Sequence, residues 1–83
     1  MKLLYFAWLR ERIGMPEEER DLPASVTTAL ELIDYLSAQG STYQAAFADR
    51  ELIKVAIDQE HAALTASVVG AHEVAFFPPV TGG

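Results

Sequence analysis

The chain contains no cysteine among its 83 residues, which excludes both a disulfide framework and a thiolate-held metal. Basic residues are few, six against twelve acidic ones, for a formal net charge of −6. Lys2, Arg10, Arg12, Arg20, Arg50 and Lys54 are scattered along the sequence. They form no basic stripe able to neutralise a phosphate backbone, so a nucleic-acid role is not expected. Histidine occurs only as His61 and His72, too few for a zinc site that takes three or four ligands, and no metal site is expected. The glycines at 14, 40, 70, 82 and 83 are too dispersed to cradle a phosphate, and no G-x-S-x-G elbow is present. No apolar run approaches the ~18 residues that cross a bilayer. The run after Lys2 stops at Arg10-Glu11-Arg12, too early for a secretory leader. The expectation is a soluble cytoplasmic protein that binds no membrane.

What remains is 51% hydrophobic and 22% charged, the composition of one small globular domain. A domain of this size buries only roughly 60–65% of its unfolded surface. It is better suited to presenting a surface or a tail than to enclosing a deep catalytic pocket.

Leu3 to Trp8 is a short aromatic-rich apolar run and predicts a strand, with Leu9 to Ile13 adding one helical turn stopped by Gly14. Glu17 to Leu22 is strongly charged, as a solvated edge strand would be. The three consecutive glutamates Glu17, Glu18 and Glu19 alternate faces in a strand and cannot converge on one cation. Thr28-x-x-Glu31 reads as a capping box opening the main helix, whose apolar stripe is Leu30, Ile33 and Leu36, widened by Leu32 and Tyr35. Gly40 is the expected stop. Ser41 to Asp49 predicts a connecting helical turn, Leu52 to Ile57 a strand, and His61 to Val69 a short strand and loop. Glu73 to Phe77 is a last strand, ended by Pro78 and Pro79, neither of which can donate to a ladder. Two strands, a helix, then further strands predict an α+β domain: a mixed sheet covered on one face by a helix. With the terminal strands side by side in the middle, this is the β-grasp arrangement. The domain is expected over residues 1–77, with an extended tail over 78–83.

If the end strands are neighbours, Phe6 and Phe77 share an outer face opposite Leu3, Tyr5, Val74 and Phe76. A single helix covers one face only, so the outer aromatics predict a protein interface, with His61 at its rim. The tail is the most informative feature. Pro78 and Pro79 favour extended geometry and reduce the entropy lost on docking. At ~3.3 Å per residue, Pro78-Pro79-Val80-Thr81-Gly82-Gly83 projects roughly 20 Å. Gly82 and Gly83 lack Cβ atoms, which suits passage through a narrow channel. A carboxylate on Gly83 resists nucleophiles until it becomes a mixed anhydride, so such a tail suits activation by adenylation.

Phe76-Phe77-Pro78-Pro79-Val80-Thr81-Gly82-Gly83 closely resembles the ending of the MoaD-type sulfur carriers, the small subunits of molybdopterin synthase. The resemblance extends to Leu3-Leu4-Tyr5-Phe6-Ala7, Leu9-Arg10-Glu11 and Glu73-Val74-Ala75, and is poorest from His61 to His72. It implies a ubiquitin-like β-grasp fold and a carrier that is not catalytic on its own. In that family the terminal glycine, here Gly83, is adenylated by a ubiquitin-activating-type adenylyltransferase using Mg-ATP, and a sulfur donor then converts it to a thiocarboxylate. The carrier binds no cofactor itself. It threads its tail into the large catalytic subunit, in a heterotetramer of two small and two large subunits. There it donates sulfur for conversion of cyclic pyranopterin monophosphate to molybdopterin. Phe6 and Phe77 fall where the family places apolar contacts with the large subunit. The alternatives are a thiamine-pathway sulfur carrier, a ubiquitin-like modifier joined to lysines, and, in a different class, a non-covalent binding module with an inert tail.

Overall fold

The computed structural model describes residues 1–79; the tail residues Val80, Thr81, Gly82 and Gly83 lie outside the described residues. The elements in chain order are β1 (Lys2–Tyr5), α1 (Ala7–Ile13), β2 (Glu17–Glu19), α2 (Ala29–Ser37), α3 (Ser41–Ala46), a 3₁₀ turn (Arg50–Leu52), β3 (Lys54–Ile57), β4 (Glu60–Ala62) and β5 (Glu73–Phe77). The strands form one sheet in the order β2-β1-β5-β3-β4. β1 and β5, the most apolar strands, run parallel at its centre, while every other pairing is antiparallel. The acidic β2 lies at one edge, where its charge opposes strand addition.

Register decides which residues make the core. Leu3 faces Val74, Tyr5 faces Phe76, and Phe76 faces Val55, and all five are buried. Against this face pack Leu9 and Ile13 of α1, Ala29, Leu32, Ile33 and Leu36 of α2, and Ala46 and Phe47 at the end of α3. Phe76 is the aromatic centre: Tyr5 stacks on it at 5.8 Å and Phe47 meets it edge-on at 5.2 Å. Three helices therefore cover the sheet where the sequence predicts one, because α1 and α3 are short and only their burial identifies them as core elements.

Several boundaries differ from expectation for physical reasons. The strand expected over Leu3–Trp8 ends at Tyr5. Phe6 remains extended, and its N–H donates to the Phe76 carbonyl at 3.1 Å. Ala7 then takes a left-handed φ of 54° and turns the chain into α1. Trp8 and Leu9 are apolar because one side of α1 faces the core, not because they continue a strand. Gly14 stops α1 as expected, at φ 91°, with its N–H donating to the Arg10 carbonyl at 2.8 Å. The Thr28 hydroxyl and the Glu31 carboxylate form the expected reciprocal capping box on α2. The buried stripe of that helix is nevertheless Ala29, Leu32, Ile33 and Leu36, and Leu30 is exposed. α2 is capped by Ala38, and Gly40 instead precedes α3. Leu52 belongs to the 3₁₀ turn, so β3 begins two residues later than predicted. Asp58 and Gln59, at φ 48° and 70°, have the paired left-handed values of a type I′ hairpin turn without glycine. The Asp58 carboxylate braces that turn by accepting from the His72 and Glu73 amides at 2.8 and 3.0 Å.

Among the described residues no helix is long and apolar enough to cross a membrane.

Candidate functional site

The helices cover one face of the sheet, and the other face is where the predicted interface residues fall. Residues alternate along each strand, so the opposite face carries Lys2 and Leu4 from β1, Lys54 and Ala56 from β3, His61 from β4, and Glu73, Ala75 and Phe77 from β5. Register aligns Leu4, Ala75, Ala56 and His61 in one row across four strands. Phe77 lies opposite Lys54 in the next row. Phe6 follows Tyr5, the partner of Phe76, so it is level with Phe77, and its extended backbone (φ −123°, ψ 155°) turns its side chain to the same face. Phe6 is 49% exposed, a large apolar residue left in water next to the end of β5.

The face has two unlike ends. At the start of β5, Lys2 pairs with Glu17 at 3.4 Å, and Glu73 stands beside Lys2 in register. At the end of β5 the side chains are Phe6, Phe77 and His61, with Lys54 opposite Phe77. The His61 and Phe77 rings meet edge-to-face, with centroids 5.1 Å apart. The three predicted interface residues are thus brought together at one end of one face. Pro78 and Pro79 leave from that end, half-buried and outside any strand. The remaining predicted tail residues, Val80, Thr81, Gly82 and Gly83, lie outside the described residues.

Leu4, Ala56 and Ala75 belong to the same face and are not singled out by sequence. Leu4 and Ala75 sit in runs where both parities are apolar, so pattern alone cannot assign them to a side. Lys54 is the first residue of a strand whose start is misplaced by two residues, which hides its position opposite Phe77.

The polar cluster on the helical side is of another kind. Glu18 accepts from the hydroxyls of Tyr5 at 2.8 Å and Tyr43 at 2.6 Å, and from Arg20 Nε at 2.8 Å. Burial, then the hydrogen bond to Glu18, raises the Tyr5 phenol far above its ordinary value, so it stays a donor. For Glu18 itself, burial pushes upward, but the hydrogen bonds from Tyr43, Tyr5 and Arg20 together outweigh it and hold the carboxyl below its ordinary value. All of its bonds close on one another, which makes it a clamp joining β1, β2 and α3. Among the described residues no three histidine, aspartate or glutamate side chains converge on a shared point. The chemistry that this arrangement offers is contact through the open face of the sheet, at the end that carries Phe6, Phe77 and His61.

The ThiS family matches residues 3–83. The chain belongs to the ThiS family. Within it, the molybdopterin synthase sulfur carrier subunit of Escherichia coli strain K12 is 35% identical over 83 residues, spanning 100% of this chain and 99% of that one. The subunit of the same name from Haemophilus influenzae is 36% identical over the same spans. The solved structure of small archaeal modifier protein 1 from Haloferax volcanii is 27% identical, covers 96% of this chain and 97% of its own, and superposes with a TM-score of 0.69. This ThiS-family chain has the ubiquitin-like β-grasp fold, with its first and last strands parallel at the sheet centre. The resemblance to molybdopterin synthase small subunits, first visible in the ending, thus holds over the full length.

Proposed function

We propose that this protein is a sulfur carrier of molybdenum cofactor biosynthesis whose working group is the carboxyl of Gly83. The observation that carries this is full-length similarity to two molybdopterin synthase sulfur carrier subunits, taken with the ending Pro78-Pro79-Val80-Thr81-Gly82-Gly83. A ubiquitin-activating-type adenylyltransferase uses Mg-ATP to convert the Gly83 carboxylate to an acyl adenylate, releasing pyrophosphate. A donor protein supplies sulfur at the sulfide level, whose attack on the acyl carbon displaces AMP and leaves a thiocarboxylate. The tail, residues 78–83, then enters the active site of the large catalytic subunit of molybdopterin synthase in a cytoplasmic two-plus-two assembly. There it gives up sulfur for conversion of cyclic pyranopterin monophosphate to molybdopterin. Phe6, Phe77 and His61 form the apolar end of the face that docks on that subunit, and burial of their exposed surface supplies the driving force. The chain is the non-catalytic partner throughout and needs no cofactor of its own.

The decisive test is intact mass spectrometry after incubation with the adenylyltransferase, Mg-ATP and a sulfur donor. The expected result is an oxygen-to-sulfur mass difference mapped to Gly83, lost when Gly83 is deleted. An unchanged mass, with an enzyme shown active on another carrier, would overturn the proposal in favour of a binding module with an inert tail.

A second role is favoured by the likeness to small archaeal modifier protein 1. It uses the same activated glycine but passes it to lysine amines on other proteins. Isopeptide-linked adducts ending in Gly82-Gly83, recovered from cell lysate, would establish it.

A further inference from the structure

The open face carries one cation that the fold leaves uncommitted. Among the described residues Lys2 pairs with Glu17, Arg20 with Glu18 and Arg50 with Asp34, the Arg12 guanidinium lies over the Trp8 ring, 4.7 Å from its centroid, and Arg10, exposed and in no such pair, belongs to α1 and not to the sheet. Lys54 is exposed and is absent from every such pair. Its position is specific. Register sets it directly opposite Phe77, and the burial of Val55 next to it confirms that Lys54 stands on the open face. The charged end of that face, at Lys2 and Glu73, lies four residues further along the sheet, about 13 Å away at ordinary strand rise, while Glu17, level with Ala75, lies three strands across from Lys54. No carboxylate at that end can reach Lys54 without leaving its own strand.

We propose that Lys54 determines the specificity of the docking surface by pairing with a carboxylate that the receiving protein holds beside its recess for Phe77. The inference rests on the docking role of this face proposed above and goes beyond it by naming the chemistry of the partner. A protein that covers Phe77 must also bring its surface against Lys54, and an ammonium withdrawn from water without a counter-charge is strongly disfavoured. The chain is otherwise acidic, with a formal net charge of −6, so a partner attracted by its overall field presents a basic surface. Across the open face, an aspartate or glutamate within such a surface is opposed at the end that carries Glu73 and favoured beside Lys54. That combination fixes orientation as well as affinity, because rotating the sheet on its partner sets like charges together.

The test is the dissociation constant for the large catalytic subunit of molybdopterin synthase, measured with the full-length chain by calorimetry, with thermal midpoints recorded in parallel. Lys54→Arg should bind as wild type. Lys54→Gln should bind several-fold more weakly, and Lys54→Glu at least ~10-fold more weakly, with midpoints unchanged. Phe77→Ala serves as the control for the face itself. If Phe77→Ala loses binding while Lys54→Glu does not, the Lys54 pairing is overturned and the docking role stands. If neither substitution changes affinity, both are overturned. Equal weakening by Lys54→Arg and Lys54→Gln would also overturn the pairing, since it would trace the effect to the lysine stem and not its charge.

Discussion

Glu18 shows how one side chain is committed to architecture. Held by two tyrosines and an arginine, it carries a carboxyl whose value is depressed in the folded state. A depressed carboxyl contributes stability that is present above its unfolded value, about 4.3, and lost as pH falls through the folded one. The thermal midpoint should therefore decline on acidification below about pH 4.5. Glu31, held low first by its hydrogen bond with Thr27, and Asp58, held low by the amides of Glu73 and His72, act in the same direction. Glu18→Gln should lower the midpoint at neutral pH and make its acid decline shallower; a parallel, undiminished decline would remove Glu18 as a contributor. Neighbouring phenylalanines separate the other two tasks of the chain. Phe76→Ala, in the aromatic centre of the core, should cost about 3–5 kcal/mol. Phe77→Ala, one residue later on the open face, should leave the midpoint nearly unchanged and weaken docking, a contrast that denaturation and calorimetry on the two variants would read.

At the scale of elements, α2 is the best-specified part of the molecule. Its capping box satisfies the Glu31 amide through the Thr28 hydroxyl at 3.1 Å and the Thr28 amide through the Glu31 carboxylate at 3.1 Å. Thr28→Ala should cost about 1 kcal/mol of stability by urea denaturation, without touching the open face. The cap is legible from local spacing because its hydrogen bonds are local. The buried stripe is less so: Leu30 and Leu32 are equivalent to a periodicity argument, and only the direction from which the sheet approaches leaves Leu30 in water. The end of β1 is the harder case. Nothing in Tyr5-Phe6-Ala7-Trp8 signals a break, since alanine at a left-handed φ is unusual. That turn is imposed by the packing of α1 on the sheet, and it also leaves Phe6 exposed at the sheet's end.

At the scale of the whole molecule, the stability of the core is expected not to depend on the last residue. The core closes within residues 3–76, so deleting Gly83 should leave the thermal midpoint unchanged while abolishing thiocarboxylation. Scanning calorimetry beside mass spectrometry checks both halves of that statement. A drop in midpoint would show the tail to be part of the fold.

The amino-acid order alone determined the α+β class, the central pair of terminal strands, the capped helix and the family resemblance in the ending. Each depends on local spacing, on composition or on contiguous residues. It also paired Phe6 with Phe77 by parity, because alternation along a strand is a local property. Which of the two sheet faces is covered was decided only by tertiary structure, as were the three-helix cover and the meeting of His61 with Phe77. These depend on contacts between residues far apart in sequence. Lys54 belongs to the same group: its place opposite Phe77 follows from antiparallel register between β3 and β5, and register is set by how both strands bury their alternate residues against the helices.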